Sequence, residues 1–322
     1  MKTDYDALLL VSFGGPEGMD DVIPFLENVL RGRNVPRERM LQVARHYEMF
    51  GGVSPINQQN RNLIAALEKE LAANGPKLPI YWGNRNWHPL LPDTLRQMTR
   101  DGIKNALAFV TAAYSSYSSC RQYRQNINDA QAAVGPKAPR VEKLRVFYNH
   151  PLFIEANVDH IRAALAQLED GLSANLVFTA HSIPESMAVN CDYAAQLAEV
   201  GGLIARTLGI KKWQLVYQSR SGSPLQPWLG PDVNDHLRTL HREGVREVVV
   251  APIGFVSDHM EVVYDLDIEA QKVANELGMK MVRAATAGTY PAFVKMIREL
   301  MLERIENKVP ENICAADCCL IS

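Results

Sequence analysis

Short apolar runs rich in β-branched residues recur along the chain with helical patterns between them, and this alternation limits the fold more than any other feature. The runs are Ala7–Val11, Pro79–Trp82, Ala106–Thr111, Leu144–Tyr148, Leu176–Thr179, Trp213–Tyr217, Glu247–Ala251 and Lys280–Val282. Each is bounded by turn residues and reads as a strand. Between them, segments such as "QNRNLIAALEKELAAN", "ANVDHIRAALAQLEDG" and "YAAQLAEVGGLIARTLG" repeat apolar residues at i, i+3/i+4, and several end near Gly or Asn. Strands alternating with helices form parallel sheets covered on both faces.

The strands divide four and four. The prediction is an α/β chain of two similar Rossmann-like domains, each a four-stranded parallel sheet flanked by helices. With 322 residues, 47% of them hydrophobic, there is apolar material for two cores. The expected domains are 1–148 and 149–305, with the boundary between residues 113 and 150, followed by a tail at 306–322. The last helix, about Pro291–Ile305, is expected to return toward the first domain. Two such halves would frame an interdomain cleft lined by the loops at the strand C-termini, where open α/β sheets keep their ligands. Those loops are Ser12–Gly18, Ala112–Cys120, Ala180–Glu185, Ser219–Pro231 and Ile253–Asp265.

Two of these loops carry titratable groups. In "VVVAPIGFVSDHMEVVYDLDIEAQK" an apolar run leads to His259 and then to Glu261, Asp265 and Glu269, which recur every fourth residue. On a helix that spacing stacks side chains along one face, forming an acidic ladder suited to a cation or proton route. A plainer reading makes Asp258 an N-cap with Glu261 as its capping-box partner, and Glu269 with Lys272 a surface pair. In "LVFTAHSIPES", His181 directly follows a strand, and Ser182 with Glu185 resembles a capping box opening the next helix. A lone histidine is more often satisfied by neighbouring backbone, but a strand-end position favours a role in the crevice.

The loop "SFGGPEG" lacks both the dinucleotide and the phosphate-loop glycine patterns, so Gly14 and Gly15 are turn residues. Phe13 beside them is either core or an apolar platform for a flat ligand. Ser54, Tyr114, Tyr117 and Tyr123 add aromatics and hydroxyls to presumed loops, a mixture suited to a large planar ligand with acidic edges.

A net charge of −2 without a Lys/Arg stripe argues against nucleic acid. The N-terminus lacks a basic n-region, a long apolar h-region and a cleavage site, and no stretch reaches the roughly 18 apolar residues of a membrane span. A soluble, cytoplasmic protein with no integral membrane span is therefore expected. Cys314, Cys318 and Cys319 crowd the tail, with Cys120 and Cys191 elsewhere. Such thiols in a cytoplasmic chain favour metal or cluster ligation over disulfides. The terminal Cys319-Leu320-Ile321-Ser322 also matches a prenylation pattern, which ranks lower.

Together these motifs resemble the ferrochelatases almost end to end, through "LLLVSFGGPEG", "HYEMFGGVSPIN", "VFTAHSIP", "YQSRSGSPLQPWLGP" and "GFVSDHMEVVYDLDIE". The "SYSSCRQYR" segment and the cysteine-rich tail are most similar to the actinobacterial type that metallates coproporphyrin III. The resemblance implies a chelatase-like fold and an enzyme, a lyase, inserting Fe²⁺ into a porphyrin in haem biosynthesis, with coproporphyrin III favoured over protoporphyrin IX. It implies that His181 and Glu261 face each other across the cleft at the metal-insertion centre, with Asp265 and Glu269 continuing the acidic line. It also implies porphyrin contacts at Phe13, Ser54 and Tyr123. Phe13 stands where some members place a metal-touching tyrosine, and His46 where some use an arginine. A [2Fe–2S] cluster on Cys120, Cys314, Cys318 and Cys319 is implied as well, leaving Cys191 over, together with transient haem-handling partner proteins. The alternatives are a chelatase for a less unsaturated tetrapyrrole such as sirohydrochlorin, and a two-domain solute-binding protein.

Overall fold

The computed structural model describes residues 4–32, 35–169, 174–221, 225–308 and 318–319. These residues fall into two compact units. The first comprises the described residues of Met1–Thr111, Gln122–Arg145 and Ile297–Ile313; the second those of Ala112–Arg121, Val146–Met296 and Cys314–Ser322.

The first unit holds β1 (Ala7–Ser12), β2 (Ile80–Asn84), β3 (Asn105–Val110) and β4 (Arg140–Lys143), paired in the order β2-β1-β3-β4. All three pairings are parallel. The second holds β5 (Asn175–His181), β6 (Trp213–Gln218), β7 (Glu247–Ala251) and β8 (Lys280–Arg283), in the order β6-β5-β7-β8, again all parallel. Central strands must be apolar on both faces. Accordingly Ala7–Val11 of β1 and Val248–Val250 of β7 are fully buried.

The fourth strand differs from its prediction, being Arg140–Lys143 and not Leu144–Tyr148. Leu144 N still donates to Ala108 O at 2.9 Å, and the ladder ends there. The apolar run serves the core of the second unit instead. Phe147 is 1% exposed and meets Phe153 and Phe293 edge-on, with ring centroids 5.5 and 5.9 Å away. An edge strand needs only one buried face, which lets the polar sequence "RVEK" take the place.

The helix Pro291–Ile305 is divided between the units at Met296. Within the first unit, Arg298 donates to Gly75 O and Asn74 O at 2.6 and 2.7 Å, and Arg145 binds Glu303 through two bonds of 2.7 and 2.8 Å. No helix among the described residues is long and apolar enough to cross a membrane.

Candidate functional site

In each sheet the chain leaves the first strand in one direction for the second and in the other for the third. The crevices between β1 and β3, and between β5 and β7, are therefore topological switch points, where strand-end loops diverge. His181 ends β5, and the loop after β7 carries His259 and Glu261.

His181 is locked on its backbone side. Its ring Nδ1 is bonded to the carbonyl of Ser182, which can only accept, so Nδ1 carries the hydrogen and Nε2 is left to face outward. Its own carbonyl takes the Tyr193 hydroxyl at 3.1 Å. Ser182 caps no helix, contrary to expectation. Its N–H continues the ladder to Gln218 O at 2.8 Å, its hydroxyl donates to Leu229 O at 2.7 Å, and the short helix Glu185–Ala188 starts after Pro184 without a side-chain cap.

Asp258 does not cap its helix either. The N-cap is His259, whose Nδ1 accepts from Glu261 N at 3.2 Å, because the Asp258 carboxylate is committed to Arg283 and Thr286. After Met260–Val262 the helix widens into a π-helical segment, Val263–Ala270, before resuming as an α-helix at Gln271–Glu276. Lys272 pairs with Glu276 at 3.9 Å instead of Glu269.

His181 Nε2 lies 3.5 Å from Glu261 Oε1. Both residues belong to the second unit, His181 at the end of β5 and Glu261 in the short helix that follows the neighbouring β7, so they do not face each other across an interdomain cleft. Their side chains are 31% and 48% exposed. Gln218, beside His181 in the sheet, donates to Glu261 O at 2.9 Å and steadies the backbone of the acid. The Ser219 hydroxyl bonds the Asp265 carboxylate. Ser219 itself sits at φ 61, a left-handed conformation that costs a residue with a Cβ about 1–3 kcal/mol and clusters at functional sites.

Burial opposes charge on both His181 and Glu261, but their mutual attraction prevails. The imidazolium is held up to about 9, helped by the Ser182 carbonyl, and the carboxylate down to about 2. Burial lifts Asp265 to about 7; the Ser219 hydroxyl works against that rise, while the negative Glu261 and Glu269 add to it. Burial also raises Glu269, with Asp232 adding to the rise and the Tyr264 hydroxyl countering it. His259 is held low, chiefly by burial. The acids thus differ in proton affinity, from the ionised Glu261 beside the imidazole to Asp265 near 7, with Glu269 shifted in the same direction as Asp265.

In the first unit, the Arg85 guanidinium lies over the rings of Phe13 and Tyr123, 5.5 and 4.6 Å from their centroids. Arg85 follows β2 and was not singled out from the sequence; "NRNWHP" gives no signal beyond a strand-end cation. Tyr123 is 5% exposed, and Ser54, at 3%, is packed against Gly15. His46 is partly buried, with burial and then Arg39 holding its pKa down. Tyr114 is core: it is 2% exposed and its hydroxyl donates to Ile253 O at 2.9 Å.

Cys120 and Cys319 are 1% and 7% exposed, and Cys318 is partly buried. Cys314 lies outside the described residues. Among the described residues no group of three or more His, Cys, Asp or Glu is arranged to hold a metal ion.

The ferrochelatase family model matches residues 5–305. A ferrochelatase of Rhodopirellula baltica is 56% identical over 98% of this chain and 93% of its own length. Coproporphyrin III ferrochelatases of Streptomyces griseus and Streptomyces coelicolor are 52% and 50% identical, over 93% and 98% of this chain and 85% and 93% of theirs. Among solved structures, the sirohydrochlorin chelatase SirB of Bacillus subtilis subspecies spizizenii superposes with a TM-score of 0.56 at 12% identity, covering 94% of this chain and 96% of that one. CbiX, from siroheme biosynthesis in denitrifying bacteria, gives 0.54 at 12%, covering 92% and 98%. At that identity the two structures speak for the fold alone. The sequence matches go further: the chain belongs to the ferrochelatase family, the lyase-class chelatases that insert ferrous iron into porphyrin in haem biosynthesis.

Proposed function

We propose that the chain inserts Fe²⁺ into coproporphyrin III, with His181 and Glu261 as the metal-insertion pair. The carrying observation is the 3.5 Å gap between Nε2 and Oε1, set at a switch point and open to solvent. Relatives named coproporphyrin III ferrochelatase, at about half identity, support the choice of porphyrin.

A first-row divalent ion such as zinc bonds nitrogen and oxygen donors at about 2.0–2.2 Å, so an ion set off the line between two atoms 3.5 Å apart reaches both. The proton that joins His181 to Glu261 at rest holds the place the cation takes. As iron approaches, the imidazole gives up that proton to the water that reaches the partly exposed pair and offers the Nε2 lone pair, while the carboxylate balances the incoming charge. Two pyrrole protons must also leave. Asp265, with its carboxyl near 7, takes and releases protons at neutral pH and passes them toward Glu269.

A flat macrocycle points its four nitrogens inward and offers the metal no lone pair, so the substrate has to be bent. Distorting a bound substrate draws about 1–5 kcal/mol from remote contacts. Phe13, Tyr123 and Ser54 are proposed to supply such contacts, with Arg85 presenting positive charge to the porphyrin carboxylates.

The same reading gives the chain a [2Fe–2S] cluster on Cys120, Cys314, Cys318 and Cys319. Its support is that three of these thiols belong to one unit, two of them well buried, and that Arg121, next to Cys120, donates to Cys318 O at 2.8 Å. Four thiolates are the ligand set such a cluster needs, and when bound it supplies a one-electron centre. Purified protein is expected to carry iron and acid-labile sulfide and to lose its visible absorbance in Cys120→Ser; a colourless wild type without sulfide overturns the assignment.

The test of the main reading is anaerobic iron insertion into coproporphyrin III and protoporphyrin IX side by side. His181→Ala and Glu261→Gln are each expected to lower turnover by about 10²–10⁴-fold while still quenching porphyrin fluorescence. Near wild-type turnover removes that residue from the mechanism, and faster metallation of protoporphyrin IX reverses the choice of substrate.

A further inference from the structure

Arg283 ends β8, the edge strand beside β7. Its guanidinium grips Asp267 with two arms, Nε to Oδ1 at 2.5 Å and Nη2 to Oδ2 at 2.9 Å, and its Nη1 reaches Asp258 Oδ1 at 3.2 Å. Thr286 Oγ1 donates to the same Asp258 oxygen at 3.2 Å. The arginine side chain is only 19% exposed, and the two carboxylates 24% and 34%.

The positions of those carboxylates in the chain give the contact its meaning. Asp258 directly precedes His259, the N-cap whose ring accepts from Glu261 N. Asp267 lies within the π-helical segment, midway between Asp265 and Glu269. Residues two apart on a helix point to different faces, so Asp267 is turned from the ladder while Asp265 and Glu269 share it. The ladder side is held by Gln218 and Ser219, and the other side by Arg283.

A π-helical stretch is rare and tends to persist at functional sites. Strained local geometry needs surroundings that over-determine it. A bidentate guanidinium–carboxylate pair is suited to that task because its planar fork fixes direction as well as distance, which an ammonium cannot do.

We infer that Arg283 is a positioning residue for iron insertion: by clamping Asp258 and Asp267 it fixes the π-helical segment so that Glu261 stays within reach of His181. The inference rests on the reading of His181 and Glu261 as the insertion pair. Arg283 touches neither porphyrin nor iron in this scheme, and its effect passes through the backbone of 258–267.

Two measurements on full-length Arg283→Met and Arg283→Lys test it. The first is backbone hydrogen exchange, comparing residues 259–270 with β1 and β3. Exchange over 259–270 is expected to quicken by about tenfold or more, the size of losing a charge-assisted pair, with β1 and β3 unchanged. The second is a steady-state split. The KM for ferrous iron is expected to rise about tenfold, with the KM for coproporphyrin III within about twofold of wild type and little recovery in Arg283→Lys.

Unaltered exchange over 259–270, an iron KM at the wild-type value, or full recovery by lysine overturns the inference. Should Arg283→Met fail to fold, Asp267→Asn, which keeps the shape and removes the charge, is read by the same two measurements with the same outcomes. The two levels of reading fail separately. Turnover that survives His181→Ala and Glu261→Gln defeats the site assignment, whereas inactive pair variants together with an unperturbed Arg283→Met defeat only the clamp.

Discussion

In the first sheet the ends of β1 and β3 are tied together, Thr111 N donating to Val11 O at 3.1 Å and Thr111 Oγ1 to the buried Ser12 Oγ at 3.1 Å, as Gly254 N to Thr179 O at 3.0 Å ties the loop after β7 to β5 in the second. Between β5 and β7 in the second sheet, the corresponding place presents an imidazole and a carboxylate 3.5 Å apart, each partly exposed. Strand order and direction are the same in both sheets. The same scaffold thus gives an aromatic and guanidinium cluster in one unit and a titratable pair in the other, and the difference lies in the residues beyond the strand ends. Chemistry is grafted onto the sheet and not dictated by it.

Both sheets use a glycine to bring a loop close, and this gives the strongest way to probe the contrast. A Cβ at Gly254 would sit 2.5 Å from Ala180 Cβ and 2.6 Å from its Cα, next to His181; one at Gly15 would sit 2.7 Å from Ser54 Cβ. Gly254→Ala has to push the loop after β7 off β5. It is expected to cost about 1–3 kcal/mol of stability, measured by urea unfolding, and to cut iron insertion at least tenfold without changing porphyrin binding. Gly15→Ala, in the other unit, is expected to weaken porphyrin binding instead. Equal effects of the two on both readouts would erase the division of labour.

A smaller effect is expected from Arg85→Leu. Loss of the cation over Phe13 and Tyr123 should raise the KM for coproporphyrin III about threefold to tenfold with kcat nearly unchanged, in line with about 1 kcal/mol for a partly buried cation–π contact or charged hydrogen bond. A fall in kcat at constant KM would move Arg85 out of binding and into the chemistry.

The smallest effect is on stability and its dependence on pH. The raised imidazole contributes stability that is complete below its ordinary value near 6.5 and lost as pH rises through about 9. The depressed carboxylate contributes above its ordinary value near 4.5 and loses that contribution as pH falls through about 2. The full contribution of the pair therefore lies between roughly pH 4.5 and 6.5. Because Glu261 is about half exposed, water screens the pair and the change in Tm is expected to be only a degree or two. Carbon-13 NMR of labelled histidine reads the pair more sharply: His181 is expected to titrate near 9, and to fall toward 6.5 in Glu261→Gln. An unmoved titration would mean that the carboxylate does not set the charge of the imidazole.

Much of this architecture was legible in the residues. Seven of the expected strands match in place, the central ones because a sheet covered on both faces demands uninterrupted apolar runs, and β2, β6 and β8 at the edges because their shorter apolar stretches are bounded by turn residues. The fourth was displaced because Leu144–Tyr148 is apolar for a different reason, the aromatic core around Phe147, while an edge strand can be as polar as Arg140–Lys143. His181 was marked by its strand-end position and Glu261 by the four-residue spacing of the acids after β7, and the two side chains do come within 3.5 Å. That β5 and β7, the strands leading to them, are neighbours in one sheet was not legible in this way, since strand order is a long-range property. The π-helical widening over Val263–Ala270 was equally hidden, because no local pattern in "VYDLDIEA" separates it from an α-helix. Arg85 escaped notice because its partners lie far along the chain, at Phe13 and Tyr123.

The bond between His181 Nδ1 and the Ser182 carbonyl has a consequence for which ion is admitted. It fixes the orientation of the ring, so on the proposed reading a cation arriving at the pair would always meet Nε2 and, beside it, the Glu261 carboxylate. One nitrogen and one oxygen make a donor set of intermediate softness, for which affinity climbs from iron through cobalt and nickel to copper. Intrinsic preference at such a pair runs against the physiological metal. On that reading, fidelity for iron would have to come from which ions are supplied and how readily each sheds its water, and not from the affinity of the two side chains.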